Sequence, residues 1–266
     1  MNLINNRIVL SIYLFFVCFI FVGCNNELQD TVVEVTEYML AEIEILEEKE
    51  SEIEVLENIF EEIDSTIAKN ISINYPQISG LIDADKQIRI NNLIKKSALE
   101  PYYYYLERES NDNSFDFVNT SLFVRYEIIL TNERIFSVRF KGDIYTKGGA
   151  HGTSLGYAVN IDLKTGQRIN VNELFQESFI EKITQNIFDG DIADDYIDFI
   201  ENAMISQRDD FVDSYNNFYF TEDNFYIIVI IPDAQSTRWS FSSSHEDLKS
   251  SMRIENPIWN AILGTR

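Results

Sequence analysis

Apolar positions change their rhythm several times along this chain, and each change marks an element. Residues 8–22 are apolar throughout except for Ser11, a run shorter than the roughly 20 residues that a membrane-spanning helix needs but matched to the core of an export signal. From Val32 onward apolar residues recur every seventh position, at Met39, Leu46, Ile53, Phe60 and Ile67, which is the mark of a helix with one apolar edge. A ten-residue echo cuts across that stripe. Residues 41–47 and 51–57 each interleave apolar and acidic positions, which equally suits a strand. The pattern therefore predicts helix to about residue 50 and leaves 51–66 open between helix and strand.

Farther on, Ile71, Ile73 and Tyr75 alternate before Pro76, so a strand is expected to end there. Asp83 or Asp85 can cap a helix that buries Ile90, Leu93, Ile94 and Ala98 until Pro101 breaks it. Leu122, Val124, Tyr126, Ile128 and Leu130 pair by pattern with Phe136, Val138 and Phe140 as a hairpin. A third strand with Leu155, Tyr157, Val159 and Ile161 on one side runs into a turn at Asp162, where Gly166 supplies a positive φ.

The period turns helical around Phe179, Ile180, Ile183 and Ile187, and again over 196–205. It returns to strand at 218–220 and 225–231. Strands with intervening helices and no regular alternation of the two predict an α+β fold, mainly antiparallel sheet with packed helices. The predicted organisation is a leader over 1–23, an acidic segment over 24–66, a first α+β domain over 67–170, a second over 171–255 and a tail over 256–266.

Charge sharpens this picture. The chain carries 44 acidic residues against 21 lysines and arginines, for a net charge of -23, which repels nucleic acid and anionic lipid and favours a basic or neutral partner. Residues 27–66 alone hold 15 acidic residues and a single lysine, so that stretch reads as a solvated spacer, dispensable for folding of the C-terminal part. Both cysteines, Cys18 and Cys24, lie near the N-terminus, and the histidines are His151 and His245. Disulfides, thiolate metal sites and histidine-rich zinc sites are thereby excluded from residues 25–266, and no cofactor is expected.

The apolar leader ends in Phe21-Val22-Gly23-Cys24, which resembles the lipobox of bacterial lipoproteins. The resemblance implies cleavage before Cys24 and a diacylglycerol anchor on that cysteine. The chain would then sit on the outer face of the cytoplasmic membrane, since two acyl chains suffice for stable anchoring. An uncleaved N-terminal anchor is the alternative, and either one exports the remainder.

The candidate ligand-binding residues are Tyr145, Gly148, Gly149, His151 and Gly152. Glycines on both sides of His151 can let a ligand approach the backbone while the imidazole stays exposed. The structural alternative is a tight turn that needs a positive φ at Gly149, with His151 hydrogen-bonding back to hold it. Tyr102 to Tyr105 with Trp239 and Trp259 could form a stacking platform, or simply core and sheet edge. Asp191, Asp194 and Asp195 resemble a loose calcium loop without the EF-hand spacing, and a helix cap explains them as well. No triad or other catalytic constellation is visible, so binding rather than catalysis is expected.

Five stretches carry a further resemblance: residues 71–78 (Ile-Ser-Ile-Asn-Tyr-Pro-Gln-Ile), 90–94, 145–152, 160–166 running into 173–175, and 217–224. In this order they resemble a pair of bacterial domains of unknown function. That pair forms the extracytoplasmic part of the sigma-V anti-sigma factor, a lysozyme-sensing protein, and precedes the catalytic domain of a peptidoglycan N-acetylmuramate deacetylase. Neither a sigma-binding segment nor a deacetylase domain is expected within these residues, so neither activity is expected to carry over. The resemblance implies an extracytoplasmic binding or sensing domain whose partner is a lysozyme-like protein or peptidoglycan.

Replacing Cys24 with Ala is expected to leave an unprocessed precursor. Metabolic labelling with a palmitate analogue checks this, and labelling that persists in the variant refutes the lipoprotein expectation.

Overall fold

A computed structural model describes residues 53–111, 118–179, 182–183, 217–230 and 238–264. Cys24, most of the acidic segment and the Asp191 to Asp195 cluster lie outside the described residues, as do the helix expected over 196–205 and most of the one expected from Phe179.

Six strands lie side by side in chain order: β1 (Glu54–Asp64), β2 (Lys69–Ser79), β3 (Thr120–Thr131), β4 (Ile135–Thr146), β5 (Thr153–Asp162) and β6 (Gln167–Arg168). All neighbours are antiparallel except β2 and β3, which pair in parallel over residues 70–73 and 121–124. Parallel neighbours need a crossover. Here it consists of α1 (Ala84–Ala98) and α2 (Glu100–Asn111). The Asp83 carboxylate caps α1 by accepting from the Lys86 amide at 2.8 Å. Pro101 follows the end of α1 at Ala98, as the sequence predicts. It falls in the first turn of α2, where a missing N–H breaks no intrahelical bond.

The crossover covers one face of the sheet. Ile90, Ile94 and Ala98 of α1 share a core with Ile71, Ile73, Leu122, Val124, Val138, Phe140, Val159 and Ile161. These are the positions that the strand alternation predicts as buried. The strand expected to end at Pro76 continues to Ser79, because Pro76 lies past the four residues that pair with β3. Beyond that pairing, Asn91 of α1 takes over the ladder's work. Its side-chain oxygen accepts from the Ile78 amide at 2.8 Å, and its nitrogen donates to the Ile78 carbonyl at 2.9 Å.

Residues 54–64 correct the spacer expected over 24–66. β1 pairs with β2 along all 11 of its residues, so this stretch is a strand of the sheet. Phe60 lays its ring 5.0 Å from that of Tyr102. Beside it the Glu62 carboxylate accepts from Lys69 Nζ and from the Tyr102 hydroxyl, each at 2.6 Å.

A second sheet, β7 (Phe218–Phe220), β8 (Asn224–Ile230) and β9 (Arg238–Ser244), is antiparallel throughout. Tyr219 and Ile228 meet Ala158 on the opposite face of β5. Two asparagines bind the sheets together. Asn217 accepts from the Ala158 amide at 2.9 Å and donates to the Gly156 carbonyl at 3.3 Å, while Asn160 donates to the Phe218 carbonyl at 2.6 Å.

The tail predicted over 256–266 is largely helix. α3 (Val171–Leu174) and α4 (His245–Leu248) precede α5 (Pro257–Leu263), whose Trp259 is fully buried and donates from Nε1 to the Leu174 carbonyl at 3.0 Å. Phe175, Phe179, Phe218 and Phe225 complete this second core.

Hydrogen bonds from Lys69 and then Tyr102 hold the Glu62 carboxyl below its ordinary range. A carboxyl lowered in the folded state stabilises the fold above the unfolded pKa, and that contribution is lost as pH falls through the folded pKa. Glu62→Gln is therefore expected to melt lower than the wild type at neutral pH and to converge with it as acid protonates Glu62. The side chain is 40% exposed, so solvent screening limits the loss to about 1 kcal/mol. Thermal melting across pH checks this, and a constant gap at every pH would contradict it.

Candidate functional site

The turn between β4 and β5 holds the residues that the sequence singles out. Strand alternation places Tyr145 on the sheet face away from α1 and α2, opposite Ser121 of β3. After it the Lys147 amide donates to the Asn119 carbonyl at 2.8 Å and the Gly149 amide to the Thr146 carbonyl at 3.0 Å, fastening the turn to the start of β3. The positive φ sits at Gly148, at 98°, and not at Gly149 as the sequence predicts. Gly149 and Gly152 are constrained by space instead. A Cβ on either would stand 3.1 Å from a backbone oxygen, that of Thr146 or of Ile144.

His151 is exposed, with Nδ1 3.1 Å from the Gly152 carbonyl oxygen. Among the described residues this is the polar contact of its ring, and it reaches only the next residue along the chain.

Tyr145 shares its face with three residues that sequence reasoning misses. The register aligns Ile63, Asn70, Ser121 and Tyr145 in one row across β1 to β4, and Glu61, Ser72, Phe123 and Asp143 in the next. Ile59 follows on β1, opposite Asn74. The exposures are 55% for Ile59, 68% for Ile63, 45% for Phe123 and 42% for Tyr145. Large side chains this open, together on one sheet face, mark a surface that can bury area against a partner.

The polar groups around them are mixed in sign, with acid concentrated on β1. Asn74 donates to Glu57 at 2.8 Å. Lys141 donates to Glu127 at 2.9 Å and lowers its pKa, so that cation is already matched. Exposed Arg125 stands between them on β3. The signal for this face was present in β1, where Val55, Glu57, Ile59, Glu61 and Ile63 alternate at every second residue.

Of the aromatics that could form a stacking platform, two follow the core alternative. Tyr102 and Trp259 are core residues, Tyr103 and Tyr104 are exposed, and the Trp239 side chain lies outside the described residues. A shallow cavity of about 380 Å³ is lined by Asp223, Ser244, His245, Glu246 and Lys249. There the buried His245 ring meets Trp259 edge-on at 5.8 Å. Among the described residues no group of three or more histidine, cysteine or acidic side chains is placed to hold a metal ion, and no helix is long and apolar enough to cross a membrane.

Residues 61–154 match the family model described as Deacetylase PdaC. The fold is that of a member of the DUF3298 family from Bacteroides fragilis, with a TM-score of 0.53 and 16% identity, covering 81% of this chain and 99% of that one. A DUF3298 family protein from Pseudomonas aeruginosa aligns with a TM-score of 0.45 and 11% identity, over 76% of this chain and 94% of its own. No curated protein matches the chain.

His151→Ala is expected to shift the melting temperature by a few degrees at most, the scale of one hydrogen bond of about 1 kcal/mol. Gly148→Val forces a β-branched residue to a positive φ and should cost about 1 to 3 kcal/mol. Melting of both variants tests this, and the reverse order of effects would assign the turn's role to the imidazole.

Proposed function

We propose that this chain is an exported binding or sensing lipoprotein, held through Cys24 on the outer face of the cytoplasmic membrane, whose folded part captures a basic protein. The observation that carries this reading is the sheet face bearing Ile59, Ile63, Phe123 and Tyr145 beside the acidic β1. Apolar side chains supply area to bury, and carboxylates around them accelerate and orient the approach of a cationic surface. The net charge of -23 acts in the same direction over longer range. Lysozyme-like muramidases are basic proteins that meet a bacterial surface, and the resemblance to the lysozyme-sensing anti-sigma factor supports them as the partner. The chain works by binding and not by catalysis.

A second reading draws on the match of residues 61–154 to the Deacetylase PdaC model. In it the chain is a peptidoglycan-binding accessory that works beside a separately encoded wall enzyme. Charge disfavours this, since largely anionic wall polymers repel a domain of the same sign.

The full chain, purified in mild detergent and immobilised, should retain lysozyme at low salt. It should release lysozyme at about 1 M salt, where the screening length falls to about 3 Å. Purified sacculi should pass through. Retention on sacculi with no retention of lysozyme overturns the first reading in favour of the second.

A further inference from the structure

We propose that the outer edge of β1 is a strand-addition site, which takes an extended segment of a basic partner whose one face alternates apolar and cationic side chains. This rests on the reading of the chain as a binder of basic proteins and names where and how that binding occurs.

The two sides of the main sheet are finished differently. On the β5 side, β6 pairs only with residues 161 and 162. The backbone before them is closed by the Asn217 amide, which takes the Ala158 amide and the Gly156 carbonyl in the way a neighbouring strand would. On the other side stands β1, 11 residues long, and among the described residues no strand lies beyond it. An extended edge of this length is a template for a further strand, because every second residue turns its N–H and C=O away from β2.

The side chains of β1 select the occupant. On its outer face Val55, Ile59 and Ile63 alternate with Glu57 and Glu61, and all five are exposed. Cross-strand neighbours are the unit of recognition in a sheet. An added strand therefore fits when it sets apolar residues opposite Val55, Ile59 and Ile63 and lysine or arginine opposite Glu57 and Glu61.

A second copy of β1 is rejected, since it would set five carboxylates, Glu54, Glu57, Glu61, Glu62 and Asp64, against five of the same sign. Residues 24–52 of this chain, with ten acidic residues and one lysine, are rejected for the same reason. A cationic strand is attracted where both of these are repelled.

Calorimetry with the full chain in mild detergent tests the proposal. The probe is a blocked nine-residue peptide with threonine at alternate positions and one face reading valine, lysine, valine, lysine, valine. Two control peptides carry backbone N-methyl groups on one or the other set of alternate residues. The parent peptide should bind, and only one of the two methylated forms should lose affinity by tenfold or more, equivalent to about 1.4 kcal/mol. Glu57→Lys combined with Glu61→Lys should weaken the parent peptide by a similar factor, and a peptide with glutamate in place of lysine should then bind the variant. No binding of the parent peptide, equal binding of all three peptides, or indifference to the charge reversal overturns the proposal. If the reversed variant melts differently from the wild type, the methylated peptides on the wild type decide alone. Lysozyme capture that survives the reversal overturns β1 as the docking route and leaves the function reading standing. Peptide binding without lysozyme capture supports the edge and removes lysozyme as the partner.

Discussion

Parallel strands cannot be joined by a hairpin, so the pairing of residues 70–73 with 121–124 obliges the chain to travel the length of the sheet before β3 can begin. α1 and α2 are that journey, and because they pack on one face they decide which side of every strand becomes core. The inward positions Ile71, Ile73, Leu122 and Val124 are fully or almost fully buried as a result. The opposite face is covered by the second sheet around Ala158, while Ile59, Ile63, Phe123 and Tyr145 remain open to solvent. The face read as functional is thus what the crossover leaves uncovered.

The pairing is short, and the backbone it leaves unsupported has to be satisfied in another way. Buried N–H and C=O groups are costly when unpaired. At the seams of this molecule, two asparagine amides supply both halves of the missing bonds, Asn91 at Ile78 and Asn217 at Ala158 and Gly156, while Asn160 donates to the Phe218 carbonyl and accepts from the Ser137 hydroxyl. One amide offers a donor and an acceptor side by side, so it can stand in for one residue of a strand.

Much of the fold was legible because burial on one face imposes a period of two. The inward residues of β3, β4 and β5, the strands at 218–220 and 224–230, the cap at Asp83 and the positive φ at Gly166 all follow from pattern and turn chemistry. Where pattern misled, a tertiary partner had overridden a local rule. Pro76 reads as a stop, yet it lies beyond a short pairing and the strand runs on to Ser79. β1 carries a seven-residue stripe and a two-residue alternation at once, and only the ladder with β2 chooses between them. Trp259 fell in a predicted tail because its core is built by residues far away in sequence, Phe175, Phe179 and Phe225. Of the candidate site, the glycine turn and Tyr145 could be read from punctuation. Alternation sets Ile59 and Ile63 on one face of β1, but that they and Phe123 stay open could not be read, since whether an outward residue is covered depends on elements that local sequence does not encode.

β5 serves two interiors at once. Val159 and Ile161 point into the core under the crossover, while Ala158 and Asn160 point toward the second sheet. Gaining or losing a single residue within this strand would turn every later side chain to the wrong side, placing an amide among isoleucines and isoleucines at the seam. Over generations, the descendants of such a chain can lengthen or shorten their connections and still keep the fold. The spacing from Leu155 to Ile161 is the part they must inherit unaltered.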